Sequence, residues 1–154
     1  MERRNTPLWV KLAFVIYAAA MLWLLFGQRL GYPRVSYGEY FDKNVILTPF
    51  LTIKRFTAVL KNGSSSYRTL HAFVNLVGNV IMFVPLGVFW PLIRRRKLKF
   101  FRCMLECVII IAAVELIQLF AMLGTCDIDD LILNLAGAAI GYMILKLLEI
   151  KRKE

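Results

Sequence analysis

The sequence predicts an all-α polytopic membrane protein: a bundle of four transmembrane helices, both termini cytoplasmic, with a helix lying in the outer interface within the first loop. Three observations carry this. Hydrophobic residues make up 59% of the 154 and mean hydropathy is +0.62, too apolar for an ordinary soluble domain. The apolar residues fall into four runs of 18 to 21 residues, about the length that crosses a hydrocarbon core of ~30 Å. Between two of these runs, six basic residues crowd into Arg94–Arg102, and basic residues close to span ends stay on the cytoplasmic side. The length fits one domain, 1–154, with no internal repeat.

The first span is Leu8–Phe26, with Lys11 snorkelling near its inner end. It follows Glu2-Arg3-Arg4, which resembles the start of a signal peptide. Its apolar run is too long for one, and Ala18-Ala19-Ala20 leads into more apolar residues, so it reads as an uncleaved anchor. Ala72–Leu92 is the second span, Cys103–Leu123 the third and Leu131–Leu148 the fourth, with Lys146 snorkelling at its end. Arg3 and Arg4, the basic loop and the tail Lys151-Arg152-Lys153 all fall inside when four spans place both termini in the cytoplasm. The loop Gly124–Asp130, with three aspartates and no basic residue, is then outside. So is the long loop Gly27–His71, despite its seven basic residues. The net charge of +10 sits in these membrane-flanking clusters. It therefore points to anionic lipid head groups and not to nucleic acid.

Within the long loop, Phe50, Leu51, Ile53, Phe56, Val59 and Leu60 alternate with Lys54, Arg55 and Lys61. This pattern predicts the interfacial helix, with Pro49 at its first turn. Asn62-Gly63-Ser64-Ser65-Ser66 reads as a flexible turn after it. Cys103 and Cys107 read as packing thiols near the inner face and Cys126 as an outer-loop thiol, with no disulfide expected.

The spans contain polar pairs at helical spacing: Asn75 and Asn79 in the second, Glu115 and Gln118 in the third, Asp130 and Asn134 in the fourth. Counted at 1.5 Å per residue, all lie toward the outer face. Polar groups in a span are costly and need a partner, a ligand or water. Two readings follow: an outward-facing polar pocket, its mouth lined by Arg68 and His71 with Arg68 as partner to Glu115, an aspartate or an anionic ligand, or interhelical glue. Glu106, four residues after Arg102, reads as its ion-pair partner. Gly137 and Gly141 form a GxxxG pattern suited to close packing within the bundle, and Pro85 and Gly87 predict a kink. Asp127-Ile-Asp129-Asp130 is too short for a calcium loop and lacks its glycine, so no metal is expected. Asp129 or Asp130 is expected to cap the fourth helix. There is no GxSxG, no His-Glu-x-x-His and no Walker lysine, and no cofactor is implied.

Several of these stretches, in this order and spacing, resemble the VanZ-like family: Asn44-Val-Ile-Leu-Thr-Pro49-Phe50, Asn79-Val-Ile-Met-Phe83-Val-Pro85-Leu-Gly87, Glu115-Leu-Ile-Gln118, Asp127-Ile-Asp129-Asp130, Asn134 and Gly137. The resemblance runs from about Asn44 to Gly141. It implies Asn79, Glu115, Gln118, Asp127, Asp130 and Asn134 as motif positions. The family's namesake confers low-level teicoplanin resistance and continues into a further apolar segment, so a minimal, general member is the expectation here. Ligand-binding candidates are thus Arg68, Asn75, Asn79, Glu115, Gln118, Asp127, Asp130 and Asn134. The leading expectation is an envelope protein that binds or modulates an envelope lipid, a lipid-linked glycan or a lipoglycopeptide. The alternatives are an intramembrane enzyme with Glu115 and Asp130 as acid/base groups, and a structural partner of another membrane protein through the GxxxG face.

Overall fold

A computed structural model describes residues 6–27, 35–62, 65–94 and 98–151. Arg3 and Arg4, Gly63 and Ser64 of the expected turn, Arg95, Arg96 and Lys97 of the basic loop, and Arg152 and Lys153 of the tail lie outside the described residues. The elements in chain order are α1 (Leu8–Phe26), α2 (Tyr37–Asn44), β1 (Val45–Ile46), α3 (Leu51–Lys61), α4 (Ser66–Ile93), α5 (Phe100–Phe120), β2 (Cys126–Asp127) and α6 (Ile128–Lys151). Among the described residues four helices, α1, α4, α5 and α6, are long and apolar enough to cross a membrane.

The first span matches its expected bounds; the others shift. At 28 residues, α4 is ~42 Å long and exceeds a ~30 Å hydrocarbon core. Arg68 and His71 therefore stand on its first turns and not in a loop before it. Conversely, α5 stops at Phe120, short of the expected Leu123. Met122 takes a left-handed φ of 56°, and the chain turns back so that the Leu123 amide donates to the Gln118 carbonyl at 2.8 Å and the Met122 amide to Leu119 at 3.0 Å. This is a Schellman closure with methionine in the place glycine usually takes.

The closest seam joins α4 to α6. A Cβ on Gly137 would lie 2.0 Å from the Val80 carbonyl oxygen, one on Gly141 1.9 Å from that of Val84, and one on Gly87 1.9 Å from that of Ala138. Backbone therefore packs on backbone, and side chains larger than hydrogen are excluded. Val80–Gly137 and Val84–Gly141 advance together, so the two helices run parallel. The GxxxG pair is spent inside the bundle, as expected, and is not a free face for a partner. Phe83, Leu86, Met104, Ile111 and Tyr142 complete the core, together with Cys103 and Cys107, both free thiols. α4 runs as one helix through Pro85 and Pro91. Pro85 lacks the N–H that would reach back one turn, and the neighbouring Met82 carbonyl accepts the Tyr17 hydroxyl of α1 at 2.9 Å.

At one end of the bundle, the basic end, Glu106 receives Trp90 Nε1–H at 2.8 Å, Arg94 Nε–H at 3.1 Å and Arg102 Nε–H at 3.4 Å. The expected Arg102 pair is present, and the same carboxylate also ties α5 to the end of α4. At the opposite, acidic end the first loop is not a plain connector. Ser36 and Glu39 close a capping box that starts α2. The Tyr37 and Tyr40 hydroxyls donate to the carbonyls of Phe120 and Gly124, and Phe41 packs on Phe120 with centroids 5.6 Å apart. Then β1 pairs in parallel with β2, Val45 with Cys126 and Ile46 with Asp127. This docked cap brings α3 over the start of α6.

Candidate functional site

Asp127, Asp129 and Asp130 leave the chain at three successive angles and do three different things. Asp127 Oδ1 accepts the Asp129 amide at 2.9 Å, so Asp127 caps α6. The expectation that Asp129 or Asp130 would do so is corrected: the helix begins at Ile128, and only the residue before it can reach the second amide. Asp127 Oδ2 accepts the Thr52 hydroxyl at 2.6 Å. Asp129 is wholly buried and reaches out of α6 to α3. One oxygen takes the Phe50 amide at 2.5 Å and the other the Ile53 amide at 3.0 Å. It supplies from afar the acceptor that a helix N-terminus needs. The anchoring also holds Phe50 at a φ of 62°, a left-handed conformation that a bulky residue adopts only when its surroundings fix it. Pro49 thus precedes the N-cap and does not sit in the first turn of α3.

Asp130 faces α4, where its Oδ1 accepts Asn79 Nδ2–H at 2.6 Å. Asn75 lies one turn earlier on α4, and Asn134 one turn later on α6. Their Oδ1 atoms are buried without a hydrogen-bond partner, acceptors for a hydroxyl, an ammonium or a water. Leaving such an atom unpaired costs about 1–3 kcal/mol. Four candidates, Asn75, Asn79, Asp130 and Asn134, therefore meet at the α4–α6 seam.

Glu115 is on α5. It is buried, 7% exposed, and lines a pocket of about 210 Å³ with Ala112 and Leu116 of α5, Leu47 after β1, Cys126 and Asp127 of β2, and Ile128 and Leu131 of α6. Asp130 is outside that lining. Burial pushes the Cys126 thiol above its usual range, and the nearby Glu115 and Asp127 carboxylates push the same way. Gln118 does not join the pocket: its Nε2–H donates to the Leu25 carbonyl of α1 at 3.0 Å, the glue role. Arg68 is exposed and lies elsewhere, in a groove with Phe56, Val59, Tyr67 and His71. The expected pairing of Arg68 with Glu115 or an aspartate is not formed, because α3 and the first turns of α4 hold it away from the α5–α6 side. Among the described residues no group of three His, Cys, Asp or Glu side chains could hold a metal ion.

The profile of the family described as VanZ/LLP1 matches residues 14–149. The chain belongs to the VanZ/LLP1 family. It is 25% identical over 138 residues to Protein VanZ of Enterococcus faecium, an alignment covering 90% of this chain and 72% of that protein. No solved structure matches the chain. With four apolar helices of spanning length, this VanZ/LLP1 member is a multi-pass membrane protein. Reading the sequence missed Asp129 and Thr52 as the residues that hold the cap of this VanZ/LLP1 chain. The capping box Ser36-x-x-Glu39 was a usable signal for α2.

Proposed function

We propose that this VanZ-like protein binds or modulates an envelope amphiphile, such as a lipid, a lipid-linked glycan or a lipoglycopeptide, at the acidic end of the bundle, facing outward. The observation that carries the reading is the Glu115 pocket. It is largely apolar, contains the buried carboxylates of Glu115 and Asp127, and is bordered by Leu116 and Leu47, both exposed. At about 210 Å³ it is smaller than the ~300–1,000 Å³ that encloses a drug-sized ligand. It suits one group of a larger amphiphile whose remainder stays in the bilayer. A carboxylate there favours a partner rich in hydroxyl or ammonium donors, as glycans and glycopeptides are. The orphan acceptors of Asn75 and Asn134 make the adjacent seam a second place for such donors. The Glu115 pocket does not include Asp130 in its lining, so the binding reading is preferred to an acid/base pair of the two.

Teicoplanin susceptibility of a sensitive Gram-positive host tests the reading, with vector, wild type, Glu115→Gln and Asp130→Asn at matched membrane levels. Protection by wild type that is lost in Glu115→Gln is the expected result. Protection that survives in Glu115→Gln sinks the pocket, and no protection by wild type separates this chain from the resistance phenotype.

A further inference from the structure

We propose that the groove between α3 and the start of α4 binds the phosphodiester head of an anionic phospholipid. The groove has a volume of about 300 Å³ and is lined by Phe56, Val59, Tyr67, Arg68 and His71. None of these residues lines the Glu115 pocket, so the inference stands independently of the function proposed above. The His71 ring lies between two aromatic rings, edge-on to Phe56 at 6.0 Å and tilted against Tyr67 at 6.4 Å. Arg68 projects beside it, exposed. The salt bridges among the described residues use Glu106 and Glu149, so the Arg68 guanidinium keeps its donors.

Charge decides the sign of the ligand. Between Asp42 and Glu106 the sequence contains no Asp or Glu, yet it carries Lys54, Arg55 and Lys61 on α3 and Arg68 on α4. Lys54, Arg55 and Lys61 are exposed on α3, and neither α3 nor α4 carries an acidic residue. A guanidinium fork matches the oxygens of a phosphodiester, and each charge-assisted bond is about twice as strong as a neutral one. Apolar surface decides that the anion belongs to a lipid. Directly below, Leu70 is 61% and Phe73 52% exposed, and an adjoining groove with Leu60 offers a path for an acyl chain. In the expected topology Lys54, Arg55, Lys61 and Arg68 lie on the outer side, where basic residues are least common; a bound anion accounts for their place.

Native mass spectrometry of the full-length protein, in micelles holding equal phosphatidylglycerol and phosphatidylcholine, tests the assignment. Wild type is expected to retain phosphatidylglycerol preferentially. Arg68→Gln should weaken that preference about tenfold, the loss of one charge-assisted bond. Arg68→Lys should restore part of it, and Lys54→Gln on the exposed face of α3 should leave most of it. Equal retention of the two lipids by wild type would overturn the proposal, as would Arg68→Gln behaving like wild type. Displacement of the lipid by millimolar inorganic phosphate would show a site for free anions and would overturn it too.

Discussion

At the basic end of the bundle one carboxylate, Glu106, serves three side-chain donors. At the acidic end two carboxylates, Asp127 and Asp129, serve four donors while a third, Glu115, faces a pocket. The donors differ in kind. Glu106 is met by arginines whose side chains are 45% and 56% exposed, so water and salt share the work. Asp127 and Asp129 are 4% and 0% exposed and are met by backbone amides and one hydroxyl, with no solvent to replace a lost bond. The basic end is a solvated staple between two adjacent helices. The acidic end is a buried clamp between segments more than 70 residues apart.

The sharpest way to break this comparison is Asp129→Asn. The amide keeps one acceptor but turns a donor toward the Phe50 or Ile53 N–H, leaving a buried group unsatisfied. The expected loss is about 3 kcal/mol, read as a lower thermal midpoint in detergent. Hydrogen exchange should accelerate at Phe50–Lys54 while the α4–α6 seam stays protected. Unchanged protection of the start of α3 would mean that the clamp is not what holds the cap.

Glu106→Gln sharpens the comparison from the other end. Glutamine still accepts from Trp90, and only the ion pairs are lost. With both arginines about half exposed, the expected cost is below about 1 kcal/mol. It should shrink further at high salt, where exposed charges are screened. A loss as large as that of Asp129→Asn would show that the two ends do not differ as described.

The unequal legibility of the two ends has a physical cause. The spans, the Arg102–Glu106 pair and the GxxxG seam follow from local periodicity, and all were readable. So was the common depth of Asn79 and Asp130, because Asn75 with Asn79 and Asp130 with Asn134 each repeat at helical spacing in the outer halves of their spans. The clamp was not. β1 and β2 are two residues each, too short for any alternation to show. The role of Asp129 depends on a helix N-terminus 76 residues away. In sequence Asp129 looks like its neighbours, and only the register of Ile46 with Asp127 aims it at α3. Arg68 misled for a related reason: α4 starts a turn and a half before its apolar run, which swings Arg68 onto the α3 side.

The smallest expected effect is also the most local test of the pocket. Cys126 reacts with maleimides as its thiolate, and burial with two nearby carboxylates opposes that form. Labelling at neutral pH should therefore be slower than for an exposed cysteine and should recover as pH rises. Glu115→Gln removes one of the opposing charges, so the thiolate forms more readily. The rate–pH profile of Cys126 should move to lower pH, measured in a background lacking Cys103 and Cys107. Asp130→Asn, outside the lining of that pocket, should leave the profile nearer to wild type. Equal shifts in both variants would mean that Glu115 and Asp130 share one electrostatic site, and the division of the acidic end into a pocket and a seam would fail. With an impermeant reagent on intact cells, the same cysteine reports the side of the membrane. Alkaline conditions are needed there, since slow labelling near neutrality would reflect the raised thiol and not its location.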